Sequence, residues 1–91
     1  MTSVEIDLEK MFARKLGLET TAIKLFQDLE GNDEAVLNFK DIEFISRSFA
    51  QEYVYQKHNS KVHIVESNMS EFVNVVLDVV QRDFEETCLA I

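Results

Sequence analysis

Residues 35–53 read AVLNFKDIEFISRSFAQEY, and this stretch decides the fold. It begins at 35–39 with a short apolar run that is typical of a strand covered on both faces. A loop follows, in which two serines stand on either side of Arg47. From Ser48 onward, apolar residues recur at the spacing of a helix that buries one face. A buried strand that leads through a hydroxyl-bearing loop into a helix is one unit of an α/β domain.

Further strands and helices are predicted on both sides of this stretch. Val4, Ile6 and Leu8 alternate with polar residues, which predicts a strand with one exposed face. The complete prediction is strands at 3–8, 35–39 and 61–66, and helices at 20–30, 48–57 and 69–86. Alternating strands and helices imply parallel neighbours joined by right-handed crossovers. We therefore predict a small single α/β domain over residues 1–91, with a mixed, mostly parallel sheet and helices weighted to one face.

Local patterns add detail to this plan. Ser48 followed by Gln51 fits a capping box, so Ser48 is the predicted N-cap of its helix. Asn68 and Glu71 have the same spacing before the last helix. Residues 9–18 fit either a second short strand or an irregular crossing. The inner face of the last helix is predicted to consist of Met69, Phe72, Val73, Val76, Val80 and Phe84.

Composition and charge exclude several classes of partner. The chain has 91 residues, of which 17 are acidic and 9 are lysine or arginine, giving a net charge of −8. Such a surface repels the phosphates of nucleic acids and anionic lipids. No apolar run approaches the roughly 20 residues of a membrane-spanning helix. The sequence thus predicts neither nucleic-acid binding nor membrane insertion, and a protein partner remains the favoured class.

Two features favour a cytoplasmic location. Cys88 is the single cysteine, so no disulfide can form within the chain, which fits a reducing compartment. The N-terminal sequence MTSVEIDLEK lacks the basic and apolar regions of a signal peptide.

The residues that carry chemistry do not form a recognisable catalytic set. His58, His63 and Cys88 lack the paired spacing of a zinc site, and no glycine-rich phosphate loop is present. We therefore predict no metal, no cofactor and no catalytic residue. One alternative stays open, namely a small serine-dependent hydrolase or transferase that uses the loop at Ser46–Ser48. It requires a base from elsewhere in the chain.

The loop before the predicted third helix is the candidate site. Loops that follow parallel strands lie at the carboxyl edge of the sheet, where ligands usually bind. A helix N-terminus also attracts anions, and Arg47 could pair with a phosphate on either neighbouring serine. The loop residues thus serve as plain caps, as a phosphorylation site or as a partner contact. The candidate residues are Asp41, Glu43, Ser46, Arg47, Ser48 and Glu52.

This stretch resembles STAS-type domains, which have the anti-sigma-factor-antagonist fold, and in particular a STAS-like family of small bacterial proteins of unknown function. The family outline is a strand that reads apolar-apolar-acid-apolar, two turn residues, a "VxFIS" element and S-F-A-x-E opening a helix. Asn38 stands where the acidic residue of that strand would be. The strand KVHIVESN and the following MSEFVNVVL also fit, so the resemblance covers residues 20–80. The matching positions are Val36, Leu37, Asn38, Phe39, Ile42, Phe44, Ile45, Ser46, Ser48, Phe49, Ala50 and Glu52.

The resemblance implies a non-catalytic regulatory module in signalling or transcription, whose partner is a histidine-kinase-like ATPase or another signalling protein. The chain departs from the antagonists at their switch. Their phosphorylated serine lies in an Asp-Ser-Ser/Thr-Gly turn, and Arg47 stands at its position here. Phosphorylation of Ser46 or Ser48 is a neighbouring alternative only. A structural homo-oligomer, such as a homodimer that pairs through an edge strand, is a third reading.

Overall fold

The computed structural model describes residues 2–88, and the side chains of residues 2–87. Its elements follow one another as strand and helix in the order that the sequence predicts, with three short additions. They are β1 (Ser3–Asp7), α1 (Leu8–Met11), β2 (Lys15–Leu16), α2 (Glu19–Leu29), β3 (Glu34–Asn38), β4 (Phe44–Ile45), α3 (Arg47–Asn59), β5 (His63–Ser67) and α4 (Glu71–Cys88).

The main sheet has three parallel strands in the order β1-β3-β5. Parallel neighbours need crossover connections, and α2 and α3 supply them, which confirms the predicted α/β class. The prediction allowed a mixed sheet, but every ladder among residues 2–88 is parallel. The register places Val36 of β3 between Glu5 of β1 and Val65 of β5.

The helices cover one face of this sheet. On β3, Ala35 and Leu37 are fully buried, whereas Val36 between them is only half-buried. Across the sheet from Val36, Glu5 and Val65 are exposed. Because successive side chains of a strand point to opposite faces, this alternation marks one covered face and one open face. The predicted weighting of helices to one face is therefore confirmed. The expectation that the strand at 35–39 is covered on both faces is wrong, because Val36 lies on the open face.

An aromatic cluster joins the sheet to the helices, and Tyr53 of α3 lies at its centre. The ring of Tyr53 is 1% exposed and lies 5.7 Å from Phe26, 6.1 Å from Phe39 and 5.9 Å from Phe49, measured between ring centroids. These neighbours come from α2, from the residue after β3, and from α3 itself. Edge-to-face and offset arrangements of this kind contribute beyond the burial of their area. The cluster fixes where α3 lies on the sheet.

A second, two-stranded ladder holds the segment at 9–18 against the loop before α3. Lys15 and Leu16 of β2 pair in parallel with Phe44 and Ile45 of β4. The amide of Glu43 extends the ladder by donating to the carbonyl of Arg14 at 2.8 Å. The segment that the sequence left open thus contains both a short helix and a short strand.

Two predicted helix caps are wrong. Helix α3 begins at Arg47 with Ser46 as its N-cap, so Ser48 lies inside the first turn. Helix α4 begins at Glu71, and the Ser70 hydroxyl accepts from the amide of Val73 at 3.2 Å. Asn68 instead has a left-handed backbone with φ 57°, a conformation that asparagine tolerates better than most residues.

Within residues 2–88, no helix has both the length and the apolar character that crossing a membrane requires.

Candidate functional site

The carboxyl ends of β3 and β5 are joined by side-chain amides. Asn38 ends β3, and its Oδ1 accepts from the backbone amide of Lys40 at 2.9 Å and from the side chain of Asn68 at 3.0 Å. The first of these bonds turns the chain sharply after the strand. Asp41 follows with φ 64°, a left-handed conformation for which aspartate is among the tolerated residues. Asn38 therefore fixes the start of the candidate loop.

Ser46 ends that loop and is bonded on three sides. Its Oγ accepts from the amide of Phe49 at 3.0 Å and donates to the carbonyl of Gly17 at 2.8 Å. Its own amide donates to the carbonyl of Leu16 at 2.9 Å. Because the β2–β4 ladder keeps the backbone extended through Ser46, the helix starts at the next residue. This is why Ser46 is the N-cap instead of Ser48.

Ser48 has the opposite environment. Its side chain is exposed and makes no hydrogen bond within the part of the chain that the structure describes. It lies in the first turn of α3, where negative charge is favourable. Of the two serines, Ser48 is therefore the one with a hydroxyl free for modification. Phosphorylation at this position stays a prediction.

Arg47 is 66% exposed and reaches α4. Its Nη2 donates to Oδ2 of Asp83 at 3.0 Å, and Asp83 is itself 51% exposed. An exposed ion pair of this kind contributes about 0–1 kcal/mol. It therefore orients the Arg47 side chain but leaves it able to exchange Asp83 for another carboxylate. Sequence reasoning missed Asp83, because only the packing of α4 on α3 brings residues 36 positions apart together.

The other predicted site residues do not form one cluster. Asp41 and Glu43 are exposed on the loop. Glu52 is half-buried, and its Oε2 accepts from Nε2 of Gln56 at 2.8 Å along the same helix. Gln56 lies on the flank of α3 that faces α2, whereas Arg47 lies on the flank that faces α4. The structure therefore separates Glu52 from Arg47.

A row of exposed apolar side chains begins beside the loop and follows α4. It consists of Phe44, Phe72, Val75 and Val79, and we call it the α4 strip. Their exposed fractions are 42%, 49%, 53% and 46%. The rings of Phe44 and Phe72 are stacked with centroids 6.0 Å apart, and the three α4 residues follow one another at helical spacing. The strip is therefore continuous from β4 to the middle of α4.

The assignment of Phe72 to the inner face of its helix is wrong. Val73, Leu77 and Val80 form the buried face of α4, and Phe72 lies beside it. A signal for the strip is present in the sequence, because residues 72–80 contain more apolar positions than one buried stripe requires. The surplus indicates a second apolar face.

A network of three polar side chains lies on the covered face of the sheet, away from the loop. Glu66 of β5 is half-buried and accepts a hydrogen bond from the hydroxyl of Tyr53. Nζ of Lys57 lies 3.2 Å from Oε2 of the same carboxylate. Burial, and secondarily the Glu66 charge and hydrogen bond, raise the pKa of Tyr53 well above its usual range. The sequence patterns did not reveal this network.

Tyr53 gives stability a pH dependence in the alkaline range. An unfolded tyrosine has a pKa of about 10, so above that pH the unfolded chain loses the proton first. The contribution of Tyr53 to the free energy of unfolding is fully present below pH 10. It then falls with rising pH by up to about 1.4 kcal/mol per pH unit. We expect Tyr53→Phe to remove this part of the decline in denaturant melts at increasing pH. Tyr55→Phe, at a 53% exposed position, is the matched control and should retain the wild-type slope; equal slopes for both variants would contradict the assignment.

The site contains no evident catalytic set. The Ser46 hydroxyl is occupied by two backbone partners, and no histidine or carboxylate is bonded to Ser48 within the described residues. A serine nucleophile needs a base within hydrogen-bonding reach. Among residues 2–87, whose side chains are described, no group of His, Cys, Asp and Glu is arranged to hold a metal ion.

Comparison with known proteins adds no relative from which a role can be transferred. No protein-family model, no curated protein and no solved structure matches this chain. The STAS-like resemblance of residues 20–80 accordingly stays a hypothesis. The properties of the loop and the α4 strip carry the functional inference instead.

Proposed function

We propose that this chain is a small, non-catalytic, STAS-like regulatory module of a bacterial cytoplasm, and that it acts by binding another protein. The contact surface comprises the loop before α3, the start of that helix and the α4 strip. The observation that carries the proposal is the strip itself. Its four apolar side chains are each more than two-fifths exposed, and they lie next to the loop that the sequence singles out.

Exposed apolar groups that are contiguous have a different meaning from scattered ones. Single surface hydrophobics are normal, but a continuous patch rimmed by polar groups marks an interaction site. Phe44 and Phe72 supply aromatic area at one end of the strip, and aromatic residues are enriched in protein interfaces. At the other end, Val79 is one helical turn from Asp83, which holds Arg47. An apolar centre with charged flanks is the usual anatomy of such an interface.

The net charge of the chain restricts which partner surfaces it can bind. A net charge of −8 disfavours association with another strongly acidic surface, so a neutral or basic partner surface is expected. Arg47 adds a local anchor for a carboxylate of that partner, because its planar fork can bind two oxygens at once. By resemblance, the partner class is a histidine-kinase-like ATPase or another signalling protein.

A substitution in the strip tests the proposal. The partner is first captured from the native host, identified and purified, and its affinity for the wild-type chain is measured by titration. Phe72→Asp should then weaken binding by about 2 kcal/mol or more, roughly thirtyfold, because it places a charge within the apolar contact. Asn74→Asp is the control, since it adds the same charge two residues away at an exposed position outside the strip. Equal affinities for wild type and Phe72→Asp would remove the strip from the interface.

The strip also favours a second candidate, a homodimer. Two copies would bury the strip against each other, although each copy has a charge of −8. Sedimentation equilibrium separates the two cases. A mass that doubles with concentration in the wild type but not in Phe72→Asp would assign the strip to self-association.

A further inference from the structure

A small groove lies between α3 and α4, on the far side of Asp83 from the α4 strip. Its cavity volume is about 250 Å³. The walls combine two aromatic rings, one aliphatic side chain, one carboxylate and two polar groups. The lining residues are Gln51, Tyr55, Val80, Asp83, Phe84 and Thr87. We call this cavity the α3–α4 groove.

The aromatic walls of the groove meet at a corner. The rings of Tyr55 and Phe84 have centroids 6.5 Å apart and planes inclined by 76°. On its other side, Phe84 contacts the ring of His58 at 5.2 Å. Tyr55 is 53% exposed, although it is a large aromatic side chain. Two rings at a steep angle present a π face to whatever enters between them, and such faces attract cations.

A carboxylate stands beside this corner. Asp83 lines the groove and is 51% exposed, and Arg47 engages its Oδ2 at 3.0 Å from the direction of the loop. An aromatic corner beside a carboxylate is suited to an organic cation, because the rings favour the charge electrostatically and the carboxylate binds it directly. An anion would be repelled by the carboxylate, and a purely apolar group would contact the rings but leave the carboxylate without a partner.

We propose that the α3–α4 groove receives an arginine side chain of the partner protein. This inference rests on the proposed function and extends it to the chemistry of one contact. A guanidinium group stacks on aromatic faces and binds carboxylates bidentately, whereas a lysine ammonium does so only as a point charge. The groove adjoins the α4 strip through Asp83, so one partner surface can cover both. The net charge of −8 further favours a basic insertion.

Arg47 is then an internal competitor for Asp83. Its ion pair is exposed at both ends and therefore weak. A second guanidinium at the same carboxylate experiences repulsion from Arg47. Removing the charge of Arg47 should accordingly strengthen binding in the groove, which is an outcome that a merely structural role for the Arg47–Asp83 pair does not produce.

The test uses the full chain and two small probes of nearly the same shape, n-butylguanidinium and the neutral n-butylurea. Each is titrated at constant ionic strength while the ring resonances of Tyr55 and Phe84 are followed by NMR. We expect saturable shifts of these rings with the guanidinium and none, or far weaker ones, with the urea. Equal responses to both probes, or guanidinium shifts spread evenly over the acidic surface, would overturn the inference.

Variants identify the groups responsible. Asp83→Asn and Tyr55→Leu should each weaken guanidinium binding by about two- to fivefold, the range expected for contacts at an exposed site. Arg47→Gln should strengthen it by a similar factor. Asp78→Asn is the matched control, because Asp78 is also an exposed α4 carboxylate with an arginine Nη2 at 3.0 Å, but it does not line the groove. Thermal melts establish that each variant is folded, and a loss in Asp78→Asn equal to that in Asp83→Asn would contradict the site.

Two further arms separate this inference from the proposed function. Phe72→Asp should lose the partner and keep the guanidinium shifts, since Phe72 does not line the groove. A chain that binds its partner through the strip but shows no guanidinium response would refute the groove and leave the function intact. Spermidine tests the source of the cation. Binding of spermidine at least tenfold tighter than that of arginine peptides from the partner would assign the groove to a free amine instead.

Discussion

Tyr53→Ala is expected to lower the free energy of unfolding by about 3–5 kcal/mol, the range for removing a large aromatic side chain from a core. The side chain is 1% exposed, and its ring contacts those of Phe26, Phe39 and Phe49. Its removal leaves a cavity where α2, α3 and the sheet meet. It also takes the hydroxyl partner from half-buried Glu66. A domain is typically stable by about 5–15 kcal/mol, so this loss removes a large fraction of the total.

The neighbouring tyrosine provides the control. Tyr55 lies on the same helix, but its side chain is 53% exposed. Tyr55→Ala should therefore cost much less, about 1 kcal/mol or below. Chemical denaturation gives the free energy of unfolding of each variant, provided that both are fitted with the same dependence of that free energy on denaturant concentration. Similar losses for the two would mean that the aromatic cluster does not centre on Tyr53.

The second large effect concerns the start of α3. Ser46→Ala removes a helix cap and a hydrogen bond to the carbonyl of Gly17, so we expect it to cost about 1–3 kcal/mol. Ser48→Ala should change stability by no more than about 0.5 kcal/mol, because this exposed side chain has no bonded partner in the described structure. Urea melts of the two variants distinguish them. If Ser48→Ala were the more damaging, the helix would start two residues later than the structure has it.

Most of the fold could be predicted from apolar periodicity, because the pattern reports burial. Alternation in residues 3–8 and the continuous run at 35–39 placed β1 and β3 to within one residue. The two-residue strand β4 was not predicted, and β2 was only one of two alternatives for residues 9–18, since two residues are too few to show a period. Their pairing depends on contacts between segments that are distant in sequence, and these are not visible in either segment alone.

Helix starts and the site were harder for a related reason. Ser46 and Ser48 both suit an N-cap, and the backbone that β2 imposes on Ser46 decides between them. The pairing of Arg47 with Asp83 likewise depends on how α4 lies against α3. By contrast, the exposure of Arg47 was predictable, because a charged residue between two hydroxyls at a helix start has no reason to be buried. Sequence alone therefore located the loop but not what the loop contacts.

The β2–β4 ladder has a consequence for motion. It pairs only two residues on each side, yet the segments it joins are separated by about thirty positions, so its formation closes a long loop for few bonds. We expect such a unit to open at a lower free energy than the main sheet. If β2 separates from β4, Ser46 loses its hydrogen bonds to Leu16 and Gly17 at the same time. The loop before α3 is then no longer held against residues 14–17. Phe44, at one end of the α4 strip, belongs to this ladder, so we expect the loop end of the proposed surface to adjust more readily than the aromatic cluster beneath it.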